Sequence, residues 1–255
     1  MTLNIFLKET KYEFLKLMRI PRFTVMTIGF PLMFYALYGV VLYKSQRFGG
    51  VGLASYMLAT FGTFGVVGVC LFGIGLNLAN ERGLGWLELK QASPLAPGVY
   101  FLAKLAICIL FSMVEVSALF ILGIAFAGVH MDINSALRLI AILIGGAVPF
   151  GALGLALGYF AKPDSAPAFV NLIYFPMAIL SGLWIPLEIL PKALQHLAPY
   201  VPPYHLSRLA LGVLGADHNH AWWGHWEALA AFTVVFLGLA RLGYQRDESR
   251  KNGVA

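Results

Sequence analysis

Two long apolar runs leave this chain few ways to fold. Residues 55–79 and 99–127 are almost wholly apolar, and ERGLGWLELKQASPLAPGVY, Glu81–Tyr100, lies between them. An apolar helix of about 20 residues spans a bilayer, so the polar stretch must sit at a membrane surface. Within it Glu81, Arg82, Glu88 and Lys90 flank Leu84, Trp86, Leu87 and Leu89. That pattern suits a short amphipathic helix, which Pro94 and Pro97 stop before the next span.

Composition agrees. Only 12% of the 255 residues are charged and 59% are hydrophobic, whereas soluble domains carry about 25% charged residues. The expected class is an all-α integral membrane protein. Its net charge of +6 does not point to nucleic acid, because the basic residues cluster at the ends of apolar runs, where they orient a membrane protein. Cys70 and Cys108 fall inside apolar runs, so neither a disulfide framework nor a thiolate metal site is indicated. The first 22 residues are polar and lack a small-residue cleavage site, unlike a cleaved signal peptide.

In chain order, residues 1–22 read as an interfacial helix, with Leu3, Leu7, Phe14 and Met18 on one face and Lys8, Lys11, Lys16 and Arg19 mostly off it. Spans are expected at 23–43, 56–79, 99–127, 137–160, 168–184 and 227–244, within one domain. Pro31 and Pro149 are expected kinks. The glycines of the second span and the Gly154–Gly158 pair suit close helix packing. Lys104, near the start of the third span, is expected to snorkel to the surface. Residues 185–226 are broken by Pro186, Pro191, Pro199, Pro202 and Pro203 into pieces too short to span, which suits re-entrant or interfacial helices. Thirteen Lys and Arg residues fall on the side of the termini and of residues 80–98, against five on the other. Both termini and the Glu81 stretch are therefore expected to be cytoplasmic.

Candidate chemistry is sparse. The chain has no GxxxxGK[ST] phosphate loop and no HExxH or serine-elbow motif, so energised work needs an outside source. Glu115 sits near mid-membrane, where a carboxylate costs a few kcal/mol unless paired, protonated or facing a cavity. It reads as a structural acid or as a group on a transport path. His218, His220 and His225, with Asp217 and Glu227, have metal-like composition, but their spacing fits no standard site and an interfacial aromatic–histidine belt is the simpler reading.

NERGLGWLELKQASPLAPGVYFLAK resembles the cytoplasmic signature after the second helix of type-2 ABC transporter permeases. SGLWIPLEILPKALQHLAPYVPPYHLSRL is similar to their second signature, between helices five and six. The resemblance covers essentially the whole chain. It implies a bacterial inner-membrane, multi-pass permease that pairs with a second permease copy or paralogue and with two separately encoded ATP-binding subunits. Those partners, not this chain, would hold ATP and magnesium; no cofactor, metal or nucleic acid is expected here. Glu81, Arg82, Gly83, Leu84, Trp86 and Leu87 would form the coupling helix, with Glu81 at its start and Arg82 free to meet an acidic group on the ATPase or to brace Glu81. The second and fifth helices would line the route, with Phe61, Phe64, Phe72, Phe169, Asn171 and Phe175, joined by Glu115. Pro186, Leu187, Pro191, Leu194, Leu197 and Pro202 would cap the exit. The family exports drugs, antibiotics, lipids and polysaccharides, which suggests an amphiphilic or hydrophobic cargo. The competing readings are a membrane enzyme using Glu115, His205 or the His218–His225 group, and a proton-coupled carrier using Glu115.

Overall fold

The structure, a computed structural model, describes residues 2–42, 46–87, 97–217 and 222–251. Among them five helices are long and apolar enough to cross a membrane: Val25–Leu42, Leu53–Gly83, Gly98–Ala125, Ile133–Phe160 and Trp222–Ser249. Helix α1 (Thr2–Met18) precedes the first of these, and α2 covers 21–42. A two-stranded hairpin follows, β1 (Arg47–Phe48) and β2 (Val51–Gly52), where the sequence suggests only a loop. Its turn needs positive φ twice, which Gly49 and Gly50 supply at 59° and 81°.

Helix α3 (Leu53–Gly83) is the axle of the bundle. The core of this helix is wholly buried, whereas the last helix shows most of its surface. Its glycines explain how neighbours come so close. A methyl at Gly62 would lie 2.8 Å from Leu143, one at Gly68 2.6 Å from the Tyr174 hydroxyl, and one at Gly65 would overlap the Glu115 carboxyl. On the facing helix, a methyl at Gly154 would lie 2.6 Å from the Cys70 carbonyl oxygen. Lipid tails are as apolar as leucine, so it is this fit, more than apolar burial, that holds membrane helices together.

Helix α4 (Pro97–Ala125) packs on α1 and α3. The kinked span expected at 137–160 is Ile133–Phe160, which divides at Gly146 into α5 (Ile133–Gly145) and α6 (Ala147–Phe160). The break falls at Gly146, before Pro149, because proline clashes with the carbonyl four residues back, here that of Gly145. Pro31 is different: the helix runs through it, with π-helical turns on either side at Val25–Gly29 and Ala36–Leu42.

Helix α7 (Ala166–Leu180) stands where the fifth span, 168–184, is expected. It has 15 residues and rises about 22 Å, short of a hydrocarbon core of about 30 Å. It stops because Gly182, at φ 72°, closes the end with Leu183 N–H donating to the Ala178 carbonyl at 3.0 Å. A 3₁₀ turn (Leu187–Ile189), α8 (Lys192–Leu197), a second 3₁₀ turn (Ala198–Tyr200) and α9 (Pro202–Val213) follow. Helix α10 (Trp222–Lys251) closes the bundle, longer at both ends than the span expected at 227–244.

Candidate functional site

Where α3 ends, two adjacent side chains of opposite charge fasten it to four other helices. Glu81 is 1% exposed and Lys104 2% exposed. Lys104 Nζ lies 2.8 Å from Glu81 Oε1 and 2.8 Å from Glu13 Oε2. Lys16 Nζ meets the same Glu81 oxygen and stands 3.5 Å from Glu13. The Tyr100 hydroxyl donates to Glu81 Oε2, and the Asn77 amide donates to Glu13 at 3.4 Å. Two carboxylates and two ammonium groups thus meet between α1, α3 and the start of α4. Such a pair is tolerable out of water only because each charge has a close partner.

Three expectations are corrected here. Lys104 does not snorkel; it is buried, because acids from two other helices reach it. Glu81 is not at a helix start but near the end of a 31-residue helix. Arg82 is not free. Its guanidinium donates to the Gly158 carbonyl at 2.9 Å and the Tyr159 carbonyl at 2.8 Å, and it pairs with Asp247. It therefore caps the C-terminal carbonyls of α6, which lack helical partners, and ties them to α10. Glu81 points toward α1 and α4, Arg82 toward α6 and α10.

Beyond this anchor the chain turns. Gly83 is pressed against Pro163, where a methyl would lie 2.6 Å from Pro163 Cβ. Leu84 and Trp86 then stand 68% and 47% exposed, while Leu87 is buried against Leu78, Tyr100 and Tyr159. Lys16 lies 5.5 Å over the Trp86 ring. Over residues 81–89, where a short helix is expected, α3 ends at Gly83, Leu84 and Gly85 form a turn, and Trp86 and Leu87 are helical again; Glu88 to Ala96 lie outside the described residues.

The expected route residues divide. Phe61 and Phe64 are fully buried, in an aromatic cluster with Phe34, Tyr174 and Trp184. They face packed side chains, not open space. Phe169 and Phe175 are half-buried. Phe72 and Asn171 line a cavity of about 420 Å³ with Leu17, Ile20, Phe23 and Asn77. The Asn171 side-chain oxygen Oδ1 is buried there without a hydrogen-bond partner among the described residues. Glu115 is fully buried against Gly65, and both its oxygens lack a partner among the described residues.

At the opposite face, Pro186, Leu187 and Pro202 are buried, Leu194 is half-buried, and Pro191 and Leu197 are exposed. His205 Nδ1 and His225 Nδ1 are 2.9 Å apart, and His205 Nε2 lies 2.8 Å from the Pro199 carbonyl. A carbonyl only accepts, so His205 carries its proton on Nε2 and His225 donates through Nδ1. Burial holds His205 below the usual histidine value. Arg208 bonds Glu188 at 3.0 Å. Among the described residues no three potential metal ligands converge; His218 and His220 lie outside them. Residue spacing missed this histidine pair and the Glu13–Lys16 half of the charge network, because both depend on contacts between distant elements.

A bundle of apolar helices around a buried central helix, tied at one face by paired charges, defines a polytopic membrane protein. Its sequence then gives the family: the family described as ABC-2 type transporter matches residues 6–214, and the chain belongs to it. It is also 22% identical over 247 residues to the transport permease YvfS of Bacillus subtilis strain 168, a match covering 97% of this chain and 100% of that protein. The chain is thus a transporter permease subunit, of a family that implies an ATP-binding partner.

Proposed function

We propose that this chain is the membrane-spanning half of an exporter driven by a separately encoded ATPase, which docks on Leu84 and Trp86. One observation carries the reading: two exposed apolar side chains follow directly on Glu81 and Arg82, which grip four other helices. A push delivered there is passed at once to α1, α4, α6 and α10. In this reading the charged face is cytoplasmic, in keeping with the thirteen-to-five bias of basic residues, and the membrane is the bacterial inner membrane. Two permease copies and two ATPase subunits complete the transporter, and ATP and magnesium belong to the ATPase. The cavity between α2, α3 and α7, apolar but rimmed by Asn77, Asn80 and Asn171, suits an amphiphilic cargo. Residues 186–202 close the opposite end.

The test is reconstitution with the ATPase. Trp86→Ala should weaken ATPase association and lower cargo-stimulated ATP hydrolysis while leaving the permease folded. Wild-type coupling in that variant would remove the docking assignment.

A second reading is favoured by Glu115, which is buried without a partner among the described residues. In a proton-coupled carrier it would bind the driving proton. Glu115→Gln should then abolish transport driven by a pH gradient in vesicles lacking ATP; no such transport in the wild type would eliminate this reading.

A further inference from the structure

Two adjoining cavities lie between α6 and α10 on the charged face. One, of about 250 Å³, is lined by Phe101, Leu155, Tyr159, Leu237 and Ala240, with Arg241 its single charged residue. The other, of about 350 Å³, is lined by Arg82, Tyr159, Lys162, Arg246 and Asp247. Tyr159 belongs to both. It is 5% exposed, yet its hydroxyl has no hydrogen-bond partner among the described residues, so a buried donor is left for something that enters.

The two cavities follow one another along α10. From Leu237 to Arg246 the helix rises about 14 Å, and one leaflet of hydrocarbon is about 15 Å thick. The lining thus passes from apolar to basic over the depth of one leaflet. Arg82 is already engaged by Asp247 and the carbonyls of Gly158 and Tyr159. Lys162, Arg241 and Arg246 form no ion pair among the described residues. The acids nearby are Asp247, held by Arg82, Glu248, which accepts from the Tyr244 hydroxyl at 2.8 Å, and Asp164, two residues from Lys162. The linings together hold four cationic side chains and one carboxylate.

We propose that this groove holds one anionic phospholipid, its acyl chain against Leu155, Leu237 and Ala240 and its phosphate against Lys162 and Arg246. A zwitterionic lipid would bring its own ammonium group into a basic cavity, and a free anion would leave the apolar cavity unused. Basic pockets between membrane helices at a headgroup level are suited to anionic headgroups. The site uses neither Leu84 nor Trp86 and does not depend on the cargo.

The experiment uses the full-length permease in non-ionic detergent. Phosphatidylglycerol, phosphatidylcholine with the same acyl chains, and inorganic phosphate are each titrated while bound lipid is counted by native mass spectrometry and thermal stability is followed. One phosphatidylglycerol should be retained and should stabilise the protein, with phosphatidylcholine markedly weaker. Lys162→Gln with Arg246→Gln should weaken phosphatidylglycerol binding about twenty-five-fold, about fivefold per cation near the surface. Leu237→Trp, at a half-exposed position, should weaken it by filling the groove, with no charge removed. Equal binding of the two lipids, or wild-type binding by both variants, would overturn the proposal. Stabilisation by inorganic phosphate as strong as by phosphatidylglycerol would reassign the cavity to a free anion. Loss of ATPase co-purification by the double variant, with lipid retention unchanged, would assign these cations to the subunit interface instead.

Discussion

Glu81→Gln is expected to destabilise the permease itself, quite apart from any loss of coupling. The carboxylate it removes has Lys104 Nζ at 2.8 Å, with both side chains 2% exposed, so solvent does little to screen the change. Removing one partner of a buried ion pair typically costs about 3–5 kcal/mol, because the other charge stays buried without its partner. Lys104 keeps Glu13 at 2.8 Å, which places the expected loss at the lower end, about 3 kcal/mol. For a chain of this size about 1 kcal/mol corresponds to 2–4 °C, so the thermal midpoint in detergent should fall by roughly 6–12 °C. Lys104→Met alone should also destabilise, since it leaves Glu81 and Glu13 to Lys16. The double variant removes both members of one pair and should recover part of the loss, giving a coupling of about 1–3 kcal/mol in a double-mutant cycle. The assay is thermal unfolding of the purified permease at matched detergent and pH, scored by the loss of monodisperse protein. If Glu81→Gln is as stable as wild type, or the two changes add without coupling, the buried network is not what fastens α1 and α4 to α3.

Arg82→Ala should loosen α6 from α10; faster hydrogen exchange at the amides of residues 157–161 would register it, and unchanged exchange would contradict the capping role. Gly154→Leu should prevent stable assembly, because even a methyl there would lie 2.6 Å from the Cys70 carbonyl oxygen, and over-packing of a tight core costs about 1–3 kcal/mol or more; a normal thermal midpoint would refute the close contact. The histidine pair makes stability pH-dependent. Burial holds His205 below the usual histidine value, so on acidification the unfolded chain takes up a proton before the folded one does. Stability is then complete above about pH 6.5 and falls as pH drops through that value toward the folded one. Thermal midpoints from pH 8 to pH 5 should show a steeper fall in wild type than in His205→Leu, and equal slopes would clear the pair of this role.

What the sequence determined by itself follows from local rules. Apolar runs such as 55–79 must leave water, and a run of that length spans as a helix wherever it sits, so the membrane class was legible from residues 55–127 alone. The glycines of α3 announced close packing, because only a missing side chain lets two helix backbones approach so nearly. Two sequence signatures were enough to point to the family. The charge network was decided by tertiary structure. Lys104 read alone is a lysine one turn inside a span, which should reach for the surface; acids 91 and 23 residues away in sequence hold it inside. Glu81 read alone looked like the start of a surface helix, yet α3 runs through it, and the polar sequence from Glu81 onward marks a buried joint before it becomes a surface. Nothing in the spacing of Phe61 and Phe64 shows that the rings of Phe34, Tyr174 and Trp184 pack around them; only the fold does. An ion pair or a ring stack forms between whichever elements the fold brings within a few ångströms, and that proximity is not encoded in the spacing of residues along one helix.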